Sequence, residues 1–348
     1  MLTIVLDPAT LPARFATPEE LDAFLARPSQ ALIADLTEVE GDIMVLGAGG
    51  KMGPTLVQLA RNAAPDKRII AVSRFSDPAL RRRLDMSGIE TIACDLSDRA
   101  AVNRLPQVAN TVFMAGRKFG SSSNQPLTWA MNVHLPAIIA ETLRSSRIVA
   151  FSTGNVYPLT DVARPVPTEA TPPNPVGEYA QSCLGRERMF EYFSGAHGTA
   201  GRIVRLNYAI DMRYGVLYDI ASKIKTGHPV DVTMGYVNMI WQGDANAQAL
   251  RCLKYCTTPM TPLNVSGPET LAVRWLAEEL GRRLGRTAVI IGAEAPTALV
   301  TNTTRAVCLF GRPLVPLSNM LDWISDWVER AMPAYDKPTK FEVRDGVF

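Results

Sequence analysis

Apolar residues recur along this chain in two alternating spacings, and the alternation predicts a fold class before any chemistry is considered. Short apolar runs at Ile43–Leu46, Ile69–Val72, Thr91–Cys94, Thr111–Ala115 and Ile148–Phe151 read as buried strands. Helically spaced stretches lie between them. In Pro54–Arg61, Leu56, Val57, Leu59 and Ala60 share a face, and Leu127–Leu143 reads as one longer helix. Strands alternating with amphipathic helices imply an α/β fold, with a parallel sheet covered on both faces. After about Asn207 the pattern shifts to longer helices and loops, with one further strand at Leu263–Val265. The expected organisation is a helical extension over residues 1–40, a main domain over 41–206 and a smaller, interleaved lobe over 207–348.

The extension opens with a helix start. Thr17 is placed to cap, Pro18 sits in the first turn and Glu20 lies three residues after the cap. Leu21, Phe24 and Leu25 then form an apolar face that Pro28 ends, and a second short helix is expected over Gln30–Leu36. Packing against its own domain is the expected role, with a docking arm or dimer contact as the alternatives. The proline-rich piece Arg164–Pro175 reads as an ordered loop.

The most informative piece is Gly47-Ala48-Gly49-Gly50-Lys51-Met52-Gly53, because a predicted strand precedes it and a predicted helix follows. Strand, glycine-rich turn and helix together make a dinucleotide site. The glycines allow a tight turn and bring the backbone close to a pyrophosphate, whose charge the helix N-terminus stabilises.

Composition narrows the class. A formal charge of +2 with dispersed arginines argues against a nucleic-acid partner. The five cysteines include no CxxC pair; Cys252 and Cys256, four apart on an expected helix, suit side-by-side packing, so reduced thiols and a cytoplasmic location are expected. Neither a signal peptide nor a membrane span is read, and three scattered histidines give no metal site.

Ser152-Thr153-Gly154-Asn155-Val156-Tyr157, followed by Tyr179-Ala180-Gln181-Ser182, resembles the extended short-chain dehydrogenase/reductase family of NAD(P)-dependent sugar epimerases, dehydratases and reductases. The resemblance runs from about Ile43 to Trp327. It takes in the three glycines, Asp95-Leu96, Phe113-Met114-Ala115-Gly116, Asn132-Val133, Val204-Arg205-Leu206, Trp241-Gln242-Gly243-Asp244 and Asn264-Val265-Ser266-Gly267-Pro268-Glu269. It implies a Rossmann-type doubly wound parallel sheet with a smaller C-terminal substrate lobe. Gly47, Gly50 and Gly53, with Lys51 and Met52, would hold the pyrophosphate. Asp95 would accept from the adenine amino group beside Leu96, and Ala115 and Gly116 would pass under the nicotinamide ribose. Thr153 would polarise a substrate oxygen and Tyr179 would serve as acid/base. The family's helices at 127–143 and 176–194 imply a homodimer, with Trp129, Ile138, Met189 and Phe193 as apolar contacts.

One departure matters. Where the family reads Tyr-x-x-x-Lys, this chain reads Tyr179-x-x-x-Cys183. Ionising an ordinary tyrosine at neutral pH costs about 4 kcal/mol, and a neutral thiol does nothing to lower that. Arg117 and Lys118 are the expected substitute cations; Arg186, seven residues beyond Tyr179, is expected to fall short of its hydroxyl. At the end of the second strand, Ser73-Arg74 replaces the acidic residue that a free ribose 2′-hydroxyl would favour, so NADP is the preferred cofactor and NAD the alternative. Arg205-Leu206-Asn207 offsets the family's Arg-x-x-Asn by one place, which favours a smaller, non-nucleotide sugar-like substrate. Asp244 is expected to cap a helix over Ala245–Leu253, and Asn302 and Arg305 lie in a late loop facing the cleft or solvent. Two functions follow: an oxidoreductase or epimerase acting on a sugar, nucleotide-sugar or sugar-acid hydroxyl or carbonyl, or a non-catalytic dinucleotide-binding regulatory or scaffold protein.

Overall fold

The computed structural model describes residues 4–335 and 337–347, so the outer ends of the expected extension and lobe, and Asp336, lie outside it. Its centre is a seven-stranded parallel sheet of β1 (Ile43–Leu46), β2 (Ile69–Ser73), β3 (Glu90–Ala93), β4 (Asn110–Phe113), β5 (Arg147–Thr153), β6 (Gly201–Leu206) and β7 (Thr261–Val265). The spatial order is β3-β2-β1-β4-β5-β6-β7, a doubly wound sheet whose direction of winding reverses between β1 and β4. Leu46 pairs with Val72 on one side and Phe113 on the other.

The continuous apolar runs have a physical reason: both faces of the central strands β1, β2 and β4 are covered, whereas the edge strand β3 is exposed to half-buried. Ile43 and Val45 point into one core, built with α2 (Gln30–Glu38) and α3 (Gly53–Ala63), while Met44 and Leu46 point into the other. α1 (Pro18–Leu25) precedes these helices. α4 (Pro78–Met86) follows β2, α5 (Arg99–Asn103) follows β3, and α6 (Gln125–Trp129), α7 (Leu135–Thr142) and α8 (Gly177–His197) complete this half. The lobe adds α9 (Val216–Thr226), α10 (Gln242–Arg251), α11 (Val273–Arg283), α12 (Thr304–Phe310) and α13 (Leu317–Glu329). No helix of the described residues is long and apolar enough to cross a membrane.

Three expectations change. The helix expected over Leu127–Leu143 is split by one π-helical turn, Ala130–His134, between α6 and α7. Pro136 has no N–H to give to the carbonyl four residues back, so a regular α-helical register fails there. The helix expected to carry Cys252 and Cys256 ends at Arg251, and the Cys256 thiol instead hydrogen-bonds the Cys252 carbonyl at 3.4 Å. Asp244 is not the cap of its helix; it lies inside the first turn of α10 and accepts from the backbone of Val315 at 3.0 Å. Burial raises its pKa to about 6.

The N-terminal extension is part of the core. Thr17 caps α1 as expected, accepting from Glu20 N at 3.2 Å. Phe15 and Phe24 pack against Trp241 and Trp323, with centroids 5.0 Å apart for Phe15–Trp323 and 5.4 Å for Phe24–Trp323. Further along, Asp35 of α2 pairs with Arg251 of α10 at 2.5 Å. Phe24→Ala should therefore cost about 3–5 kcal/mol of stability, the range for deleting a buried aromatic side chain. The urea midpoint should fall with its slope unchanged. A loss of only about 0.5 kcal/mol, typical of surface positions, would contradict the extension's place in the core.

Candidate active site

The carboxyl ends of β1, β4, β5 and β6 converge on one cavity of about 300 Å³. The turn after β1 forms one wall, and its glycines do different jobs. Gly47 has φ +91°, and a Cβ there would lie 2.7 Å from Ala115 N, so only glycine lets the exits of β1 and β4 approach this closely. Gly53 is pinned too, since its Cβ would fall 2.4 Å from the Ala48 carbonyl oxygen. A Cβ on Gly50 would meet nothing nearer than Gly47 O at 3.4 Å. Gly50 therefore leaves its backbone bare on the cavity side. Met52 precedes α3 without a side-chain cap, which leaves the positive end of an eleven-residue helix available to an anion. The residues present fit a dinucleotide pyrophosphate.

Lys51, in the same turn, sits with Nζ 3.2 Å from the centre of the Tyr214 ring and 4.8 Å from that of Phe119. Burial, helped by the charges of Lys118 and Lys337, lowers its pKa to about 7. The segment after β4 contributes Gly116, Arg117 and Lys118. Lys118 donates to the Thr339 carbonyl at 3.1 Å, and burial brings it down to about 8. Arg117 turns back to its own loop, donating to Gly120 O at 3.1 Å.

Thr153 ends β5 and Tyr179 lies in the first turn of α8; both line the cavity, in hydrogen-bond contact with each other. Tyr179 also contacts the Cys183 thiol. Burial, reinforced by that thiol, holds Tyr179 well above the usual tyrosine range, while Arg186 and Thr153 pull the other way. Cys183 is fully buried beside Val156 and Tyr157, and burial raises its pKa as well. It is a neutral thiol behind the tyrosine, in contrast to a reactive thiolate.

Beneath these residues a buried network holds α8 to the sheet. Ser152 donates to Glu187 at 2.5 Å, Glu187 pairs with Arg205 at 2.7 Å, and Arg205 donates to Tyr157 Oη at 2.8 Å. Tyr157 in turn donates to Asn264 at 2.8 Å. Asn207 is taken up in a similar way, donating to Asn238 at 2.6 Å and to Leu299 O at 3.3 Å.

Of the residues expected in the site, Ser73, Arg74, Asp95 and Leu96 lie apart from this cavity, at the ends of β2 and β3. Ala115 backs Gly47. Asp95 accepts from both the backbone and hydroxyl of Ser97 with one oxygen, and Arg74 is exposed. Arg186, not expected to reach the Tyr179 hydroxyl, nonetheless belongs to the cavity wall. Its side chain lines the cavity, donating to Phe151 O at 2.9 Å and Asn132 Oδ1 at 2.8 Å. Seven residues make two helical turns on one face, and helical side chains lean toward the N-terminus, so a long arginine reaches back. Among the contributors without an assigned role from sequence are Asn132, Asn155 and Thr339. Asn132 sits in the π turn and also holds Arg117, accepting from its N–H and donating to its carbonyl, each at 2.8 Å. Thr339 comes from the C-terminal segment, tied to Asp219 of α9 by its backbone N–H at 2.8 Å.

Solved structures share this architecture at low sequence identity. MoeE5 in complex with UDP-glucose and NAD is 19% identical, with a TM-score of 0.68 over 83% of this chain and 99% of that one. UDP-glucose 4-epimerase of Thermus thermophilus, complexed with NAD, is 17% identical, with a TM-score of 0.68 over 84% of this chain and 100% of that one. UDP-glucuronic acid 4-epimerase from Bacillus cereus, complexed with NAD, is 17% identical, with a TM-score of 0.70 over 83% and 99%. No curated protein matches by sequence. The model of the NAD dependent epimerase/dehydratase family matches residues 43–233, more than half of the chain, and with the glycine turn and the Thr153–Tyr179 pair in place this protein belongs to that family.

Proposed function

We propose that this chain is an NAD(P)-dependent oxidoreductase or epimerase acting on a hydroxyl or carbonyl of a sugar-like substrate, with residues 41–206 holding the cofactor and 207–348 mainly the substrate. The observation that carries the reading is the contact of Thr153 and Tyr179 at the floor of the cavity that Gly50 leaves bare. When bound, the dinucleotide supplies or accepts the hydride. Thr153 orients the reacting oxygen. Tyr179, held as a neutral phenol by its buried setting, gives that oxygen a proton or takes one from it. Within the named substrate classes, a small sugar or sugar acid is favoured over a nucleotide-sugar. Asn207 already spends its amide on Asn238 and Leu299, and Thr339 borders the cavity on the lobe side.

Arg74, exposed at the end of β2, supports NADP over NAD, although the three structural relatives described above hold NAD. Calorimetry should show NADP binding more tightly than NAD, and Arg74→Ala should erase the difference. Gly50→Val should leave the fold intact, because no atom crowds that position, and weaken either dinucleotide by more than about tenfold, or ~1.4 kcal/mol. Tighter binding of NAD defeats the first statement, and unchanged affinity in folded Gly50→Val defeats the second.

Tyr179→Phe should abolish turnover of a sugar or sugar acid found by screening while preserving cofactor affinity. Turnover at the unmodified rate would remove Tyr179 from proton transfer. A complete screen without turnover would instead favour the non-catalytic, dinucleotide-binding alternative.

The proposed partner is a second copy of the chain. Of the expected contacts, Ile138 is buried in the sheet core and Phe193 packs against it, so neither is available; Trp129, 39% exposed on α6 and steadied by Glu178 at 2.6 Å, remains, and Tyr192 of α8, 67% exposed, joins it as a candidate. Symmetric pairs are the commonest oligomers. Light scattering should give twice the chain mass, and a monomer across the accessible concentration range contradicts the pairing.

A further inference from the structure

Two buried arginines near the site face carboxylates: Arg205 pairs with Glu187 and Arg213 with Asp211, each at 2.7 Å. Arg186 is buried to a similar depth, at 6% exposure, yet its two terminal nitrogens donate to neutral acceptors, Phe151 O and Asn132 Oδ1. Among the described residues it forms no ion pair, and its Nε is buried without a hydrogen-bond partner. A desolvated cation without a counter-charge is costly. Such a group, lining a cavity, points to a ligand that completes it.

Its surroundings say which part of a ligand. A Cβ on Gly116 would lie 2.3 Å from Arg186 Nη2, so the guanidinium lies directly against the glycine that bounds the cavity after β4. Thr153 and Tyr179 line the same space. One turn before Arg186 on α8, position 183 offers only a thiol in an apolar nest. The choice of arginine also has a reason. The two lysines of this cavity are brought down to about 7 and 8 by burial, whereas a guanidinium stays charged at any working pH.

We infer that Arg186 is the cation of this site, binding the ribose hydroxyls at the nicotinamide end of the dinucleotide and setting positive charge beside the Tyr179 oxygen. The inference rests on the reading of the cavity as a dinucleotide site. It makes Arg186 a cofactor-binding residue that the ligand-free protein carries at a loss. Removing the charge should therefore weaken binding without weakening the fold, the reverse of what a purely structural tie between α8 and β5 would do.

The test measures NAD and NADP dissociation constants by calorimetry, with the thermal midpoint of each ligand-free protein. Arg186→Gln should bind at least about tenfold more weakly while its ligand-free midpoint does not fall. Adding Cys183→Lys to Arg186→Gln, which returns a cation from one turn earlier, should recover about threefold or more of the loss. Affinity of Arg186→Gln within about threefold of the unmodified protein overturns the inference, as does a loss accompanied by a lower midpoint and no rescue. Should Arg186→Gln not fold, Cys183→Lys alone decides: affinity should stay within about threefold, and a tenfold gain would show that the site lacked a charge that Arg186 does not supply. An unmodified protein that binds neither dinucleotide brings down the reading of the cavity itself, a failure visible before any substitution is made.

Discussion

The close approach of Gly47 to Ala115 is the constraint on which the site depends. β1 and β4 are neighbours in the sheet, but the chain leaves them toward different elements, one into α3 and the other into the loop before α6. A crevice opens wherever neighbouring strands part in this way. Its width is set by how near the two exits can come, and with a Cβ at Gly47 only 2.7 Å from Ala115 N, any side chain would force them apart. The bare backbone at Gly50, the uncapped start of α3 and the Gly116–Lys118 wall all take their positions from that contact.

What sequence could reveal follows from how local each signal is. β1, the turn and α3 were legible because strand, glycines and helix are consecutive, and each supports the others. Thr153 and Tyr179 were legible through a resemblance in short motifs. The π turn was hidden because its cause, Pro136, also suits the first turn of a helix, and composition does not separate the two roles. The place of Arg186 in the cavity wall was not legible, because spacing along a helix counts turns but not the reach or lean of a side chain. Asp244 was misread because its partner, Val315, lies 71 residues away in sequence. Thr339 could not have been found: nothing in Pro338-Thr339-Lys340 announces that it meets Asp219 and Lys118.

The site holds its charges in two forms. The lysines are reversible, with pKa values brought into the working range by burial, so a bound anion would draw a proton onto them. The buried arginines are fixed. Arg205 is locked to Glu187 in the network under Thr153, and its charge serves the rigidity of α8 against β5. That bracing keeps Tyr179 and Thr153 in register, since Ser152, next to Thr153 on β5, is joined to Glu187 on the same helix as Tyr179.

The aromatic cluster of Phe15, Phe24, Trp241 and Trp323 has a consequence in time as well as in stability. Trp323 donates to Pro12 O across 311 residues, and Arg330 donates to Phe15 O across 315. Contacts of such separation carry a large loop-closure entropy, which nearer pairings reduce by shortening the path between their ends. The sheet, built from successive strand-helix units, can condense first. Until α13 is in place, the apolar face of α1 lacks part of its partner, because Phe15 and Phe24 both pack against Trp323 of that helix. Any form of the chain in which α13 is detached therefore uncovers one side of Phe15 and Phe24, apolar surface of the kind that invites aggregation and proteolysis.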